Sequence, residues 1–167
     1  MRLFIIGFKS SGKTTFGRKL ANRLNLEFID LDEYIERITG RTVPDIFTLD
    51  GEDAFRARER NALKQIVRKD DIVVSTGGGA ACHCDNMNLM EVYGDTVYIK
   101  VDDDTLVSRL REFSADRPLV RGKSEAELRA YVAGLKERCE HHYARAKYVL
   151  ENENIDIERL VRMLQET

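Results

Sequence analysis

The run "LFII" at Leu3–Ile6 passes directly into "GFKSSGKTT" at Gly7–Thr15. A short unbroken apolar run reads as a strand covered on both faces. Immediately beyond the loop, Phe16, Leu20 and Leu24 recur at i, i+4 and i+8 with Lys and Arg between them, which predicts a helix to about Asn25. The loop itself has the spacing G-x-x-x-x-G-K-T, with Gly7, Gly12, Lys13 and Thr14 in the fixed places. Backbone N–H groups of such a loop wrap around a phosphate, and the helix behind it points its positive dipole end there. A Gly/Ser-rich turn matched by chance is the competing reading, and the flanking strand and helix argue against it. The stretch therefore predicts a nucleoside triphosphate site built from Ser10, Ser11, Gly12, Lys13, Thr14 and Thr15. Lys13 is placed to reach the β- and γ-phosphates, and the Thr14 hydroxyl to ligate Mg²⁺, the expected cofactor.

Further short apolar runs alternate with helical patterns, as in a parallel sheet covered by helices. Strands are expected at Leu3–Ile6, Glu27–Ile29, Asp71–Ser75, Thr96–Val101 and Tyr148–Leu150. Helices are expected at Glu33–Thr39, Glu52–Arg68 (after a short turn at Pro44), Met87–Tyr93, Asp104–Glu112 and Ile157–Gln165. A long helix towards Ala146 opens on the S-x-x-E capping box Ser124–Glu127. The result is a three-layer α/β sandwich. With 167 residues, two prolines and no Gly/Ser-rich linker, one domain spanning 1–167 is expected. A net charge of −2 gives no general attraction to nucleic acid or to anionic membranes, so any cationic site is local. No apolar stretch approaches a membrane span, and a cytoplasmic monomer is expected. In that reducing compartment the three cysteines are expected to stay unpaired.

Four motifs fall at strand ends or in the loops above them. "IDLD" sets Asp30 and Asp32 two apart and on one side of the second strand. There one carboxylate can hold Mg²⁺ through water and the other can accept a hydrogen bond from an alcohol; an acidic helix N-terminus is the alternative. Arg56 and Glu59 stand at i, i+3, either as a solvated ion pair or with the guanidinium fork turned to a substrate carboxylate. Gly77, Gly78 and Gly79 follow the third strand, where backbone must approach something closely. "DRPLVRGK" carries Arg117, Arg121 and Lys123 without any period, which suits a lid over about 113–123.

Taken together, G-x-x-x-x-G-K-T, "DLD", "FR..E", "TGGG" and "RPL" resemble the shikimate kinase family over nearly the whole chain. The resemblance implies a P-loop fold similar to nucleoside monophosphate kinases, with a parallel sheet of order 2-3-1-4-5, a substrate-binding region at about 32–60 and a lid. The reaction it implies is γ-phosphoryl transfer from ATP to the 3-hydroxyl of shikimate, on the way to chorismate and the aromatic amino acids. By resemblance Thr14 and Asp30 serve Mg²⁺, Asp32 holds hydroxyls and is the candidate base, and Lys13 and Arg117 complete the catalytic set. Arg56 and Arg138 grip the shikimate carboxylate, and Gly77, Gly78 and Gly79 line the ring. Arg111 stacks on adenine, with Arg109 close enough to compete.

The chain departs from the family pattern at three places. Ser10 stands where members carry a third loop glycine. "RCEHHY" lacks a proline and has Tyr143 five residues after Arg138, and "ENEN" replaces an adenine-contacting segment. One added residue rotates a helix by about 100°. A bulge or break between Arg138 and Tyr143 is therefore expected, with Arg138 facing the substrate beside Arg56. Three other readings stand beside this one. They are a kinase of another polyol acid such as gluconate, a nucleotide-dependent binding protein without catalysis, and a zinc site drawn from "CHC" and "CEHH".

Overall fold

A computed structural model of the chain describes residues 1–112, 120–151 and 156–167. Five strands form one sheet in the order β2-β3-β1-β4-β5: β1 (Arg2–Ile6), β2 (Glu27–Asp30), β3 (Ile72–Ser75), β4 (Asp95–Lys100) and β5 (Tyr148–Glu151). All four pairings are parallel, with Phe4 opposite both Val74 and Thr96. Leu3, Phe4, Ile5 and Ile6 are fully buried, as are Ile72, Val73 and Val74. Successive strand residues point to opposite faces, so burial at every position means that both faces are covered.

The covering helices are α1 (Lys13–Leu24), α2 (Leu31–Thr39), α3 (Val43–Asp50), α4 (Glu52–Ile66), α5 (Asn86–Tyr93), α6 (Asp103–Glu112), α7 (Glu125–Tyr143) and α8 (Ile157–Gln165). Their ends obey local chemistry. The Ser124 hydroxyl accepts from Glu127 N, the N-cap bond expected of S-x-x-E, and donates to the Glu127 carboxylate. Thr42 caps α3 with Pro44 in its first turn, so the stretch read as a short turn is an eight-residue helix. Its periodicity is too brief to stand out; the cap and the proline were the available signal.

Two expectations fail. The helix α7 runs without interruption through Arg138 to Tyr143, with no bulge or break. Glu140 in place of a proline leaves its i→i−4 ladder intact. Nor are all cysteines free: Cys82 and Cys139 are joined by a disulfide with their Cα atoms 5.4 Å apart, and Cys84 alone is unpaired and exposed. The partners lie 57 residues apart in sequence, and only the packing of α7 against the segment after β3 brings them together.

Among the described residues no helix is long and apolar enough to cross a membrane. Nor does any group of three or more His, Cys, Asp or Glu side chains among them come together to hold a metal, which removes the zinc reading.

Candidate active site

The central strand β1 has β3 on one side and β4 on the other, so the chain switches direction across the sheet beside it. Ligand crevices open at such a switch, beyond the carboxyl ends of the strands. The phosphate loop leaves β1 at this point. Gly12 sits at φ 91 as the N-cap of α1, and Ser11 N donates to Phe8 O at 3.1 Å. Ser10 takes φ 67, the left-handed conformation that a third glycine would have made easy. The loop therefore keeps its shape with serine, at a local cost of about 1 kcal/mol.

The Lys13 ammonium is buried inside the loop, donating to Gly7 O at 2.8 Å and Phe8 O at 2.7 Å. Thr14 Oγ1 donates to Asp30 Oδ2 at 3.0 Å and lies 3.2 Å from Ser75 Oγ. Two strand ends, those of β2 and β3, and the first turn of α1 thus contribute oxygens to one spot. A set of two hydroxyls and one carboxylate suits a hard cation that keeps several waters and takes its other ligands from phosphate, as Mg²⁺ does.

Asp30 and Asp32 do not share a face of the second strand, because β2 ends at Asp30 and Asp32 already lies in the first turn of α2. The acidic helix N-terminus is what the geometry shows at this segment. Asp30 caps α2 by accepting from Glu33 N at 3.1 Å, while its other oxygen faces Thr14. Asp32 turns inward. Burial, and then the neighbouring Asp30 charge, raise its pKa above the usual carboxylate value, against the pull of Lys13 and Lys9.

Arg56 and Glu59 form their pair, with Nη1 2.9 Å from Oε1, yet it is far from solvated. Arg56 is 14% exposed and Glu59 not at all. Burial raises the Glu59 pKa to about 7 despite the adjacent guanidinium. Asp32 Oδ1, Glu59 Oε2 and Arg56 Nε are buried with no hydrogen-bond partner among the described residues. Buried polar atoms are rarely left so, and two of these, Asp32 Oδ1 and Glu59 Oε2, lie together against Gly77.

The triple glycine explains how these groups meet. None of Gly77, Gly78 or Gly79 has positive φ, so it is room that requires them. A Cβ on Gly77 would lie 3.0 Å from Asp32 Oδ1 and 3.2 Å from Glu59 Oε2. On Gly78 it would meet Lys9 N at 3.0 Å, and on Gly79 Arg56 Nη2 at 2.6 Å. The loop therefore touches Arg56, the inward carboxylates and the phosphate loop at once. Tyr143 braces it from behind. Its hydroxyl donates to Gly78 O, and its ring stacks on Tyr98 and meets Phe8 edge-on.

The remaining expected residues are placed as follows. Arg138 is exposed on α7, next to the inward-facing Cys139. Arg111 pairs with Glu125 at 3.2 Å, whereas Arg109 donates to Ser10 O at 2.9 Å and lies over the phosphate loop. Arg117, with the rest of 113–119, and most of "ENEN" lie outside the described residues. Sequence reasoning gave Glu59 only as a partner of Arg56 and did not single out Ser75 or Tyr143 as site residues. The i, i+3 spacing was the signal for Glu59, and the family pattern that ends in a tyrosine was the signal for Tyr143; Ser75 carries none.

A model of the shikimate kinase family matches residues 9–167. The chain is 40% identical to the shikimate kinase of Bacteroides thetaiotaomicron over 99% of its own length and 97% of that protein. It is 42% identical to that of Parabacteroides distasonis, over 92% of this chain and 89% of the relative. Its fold superposes on the crystal structure of the B. thetaiotaomicron enzyme with a TM-score of 0.89, covering 99% and 97% of the two chains. For the Acinetobacter baumannii shikimate kinase in complex with shikimate the TM-score is 0.83 at 30% identity, covering 99% and 90%. Sheet order, phosphate loop and glycine loop agree with that likeness along the whole chain, which belongs to the shikimate kinase family.

Proposed function

We propose that this chain transfers the γ-phosphoryl group of ATP to the 3-hydroxyl of shikimate, releasing shikimate 3-phosphate and ADP. The observation that carries the reading is the set of buried atoms without partners, Arg56 Nε, Asp32 Oδ1 and Glu59 Oε2, beside a glycine loop that touches the phosphate loop. An acceptor bearing one carboxylate and several hydroxyls satisfies all three. Arg56, with Arg138, binds the carboxylate, while Gly77, Gly78 and Gly79 line the ring. Asp32 accepts the proton of the attacking hydroxyl, and its raised pKa makes it a better base than an exposed aspartate. The hydroxyl oxygen bonds to the γ-phosphorus as the bond to the β,γ-bridging oxygen breaks, and ADP leaves.

Phosphoryl transfer asks mainly for positioning and charge. Lys13 exchanges its loop carbonyls for the β- and γ-phosphates, and Arg117 adds a second positive charge. The backbone of Ser10, Ser11 and Gly12, with Thr14 and Thr15, surrounds the phosphates. Arg109, already lying against Ser10, is better placed towards the nucleotide than Arg111. Thr14 and Asp30 hold Mg²⁺, which when bound neutralises phosphate charge. The single domain 1–167 works as a cytoplasmic monomer, with 113–123 as its lid. A binding protein without catalysis has less support, since Ser10 adopts the loop conformation that its presence put in question.

ADP release measured side by side with shikimate, with gluconate and without acceptor tests the reading. Shikimate should give the fastest release, dependent on Mg²⁺, and Lys13→Ala should lower kcat by about 10²–10³-fold with the fold retained. Faster release with gluconate or with no acceptor overturns it.

A further inference from the structure

The disulfide joins two segments that both serve the acceptor. Cys82 closes a single 3₁₀ turn, Ala80–Cys82, that begins directly after Gly79, against which the Arg56 guanidinium packs. Cys139 follows Arg138 on α7, one turn before Tyr143, whose hydroxyl holds Gly78. In the dithiol form the glycine loop and α7 are held together by that hydrogen bond and by packing. In the disulfide form they are joined covalently as well. The two sulfurs differ in access: Cys82 is partly buried and Cys139 is 5% exposed.

We infer that Cys82 and Cys139 form a reversible thiol–disulfide site that tightens the acceptor side of the active centre when oxidised. Its oxidant is a low-molecular-weight disulfide. The Cys82 thiolate attacks one sulfur of that disulfide, forming a mixed disulfide and releasing one thiolate. The Cys139 thiolate then attacks Cys82 Sγ, the Cys82–Cys139 bond forms, and the second small thiolate leaves. Two protein thiols are oxidised, one external disulfide is reduced to two thiols, and the two protons pass to the released thiolates. Two small thiols reverse the sequence: one attacks Cys82 Sγ, the more accessible sulfur, and Cys139 departs as the thiolate, and the second attacks the small-molecule sulfur of the mixed disulfide, releasing Cys82 and the small disulfide. Cys84, though exposed and only two residues away, is not used.

The pairing itself does not depend on the kinase reading; its kinetic consequence rests on it. The test equilibrates the whole chain with oxidised or reduced glutathione, then counts thiols by alkylation and mass, and measures melting and kinetics in each state. Expected after oxidation is a single modifiable position, Cys84, found by mass as a free thiol or as one glutathione adduct, and after reduction three thiols. The oxidised form should melt about 10 °C higher, since a bridge across a loop of this length restricts the unfolded chain. The KM for shikimate should rise about fivefold on reduction, an allosteric coupling of ordinary size, with the KM for ATP unchanged. Cys84→Ser should keep every difference, and Cys139→Ser should behave as the reduced form in both buffers. Three reactive thiols after oxidation, or equal shikimate KM in both states of an active enzyme, overturn the inference. A chain inactive in both states overturns the kinase reading and leaves the bridge to be decided by the thiol count and the melting shift.

Discussion

Glu59 has no exposed surface, and its carboxyl titrates near 7 because burial outweighs the Arg56 guanidinium. Between the ordinary glutamate value and about 7 the folded chain holds a proton that the unfolded chain releases, so stability falls as pH rises through that window. The depressed carboxyls of Asp50, Asp71, Asp102, Glu125 and Glu158 act in the opposite sense, but only below their ordinary values. Denaturant unfolding at several pH values should show the slope between about pH 4.5 and 7 in the parent chain and a flatter one in Glu59→Gln; identical slopes would place the proton elsewhere. Removing the cation exposes the same chemistry from the other side. In Arg56→Ala a buried carboxylate loses its partner, which costs about 3–5 kcal/mol of stability, more at pH 8 than at pH 6. The same variant should raise the KM for shikimate about 30-fold or more, because a desolvated charge pair with the substrate is lost. A surface pair would have changed neither quantity measurably.

At the level of elements, the strands and most helices were legible because period and end signals coincide in them. Phe16, Leu20 and Leu24 mark α1, Ser124 with Glu127 marks the start of α7, and the unbroken apolar run marks β1. The phosphate loop was legible for the same reason, since its spacing is itself the local geometry. What escaped is what depends on distant packing. Asp32 lies in a helix rather than a strand because Asp30 caps α2, which starts two residues earlier than the expected Glu33. The 310 turn, the Tyr143 brace and the Cys82–Cys139 bond all arise where α7 crosses the segment behind Gly79. No local pattern encodes that crossing. The unbroken α7 also sharpens the question of the second acid-binding arginine. Tyr143 is held inward and Arg138 is exposed on the same helix, while Arg145 is engaged by Glu91 and Asn88. Arg138→Ala should raise the shikimate KM about tenfold or more and leave that for ATP alone. A shikimate KM moved by Arg145→Ala and not by Arg138→Ala would relocate the clamp.

For the molecule as a whole, catalysis requires that the phosphate side and the acceptor side close around one reaction without water. The segment 113–123 carries Arg117, and amide exchange there should slow when ATP binds while the sheet is unaffected. Equal exchange with and without nucleotide would remove the lid from the mechanism. Arg117→Ala should lower kcat about 10³-fold if its charge reaches the transferring group. The sheet order bears on how such a chain comes to exist in a cell. Of these five strands β1 is made before the others, yet its neighbours are β3, ending at Ser75, and β4, ending at Lys100. At roughly 5–20 residues per second, translation leaves the apolar RLFII strand without either lasting partner for several seconds. Throughout that time it is an open edge of the kind that pairs with other nascent chains. A central strand made before both of its neighbours lengthens that exposure, so slowing translation between β1 and β4 should lower the yield of folded chain.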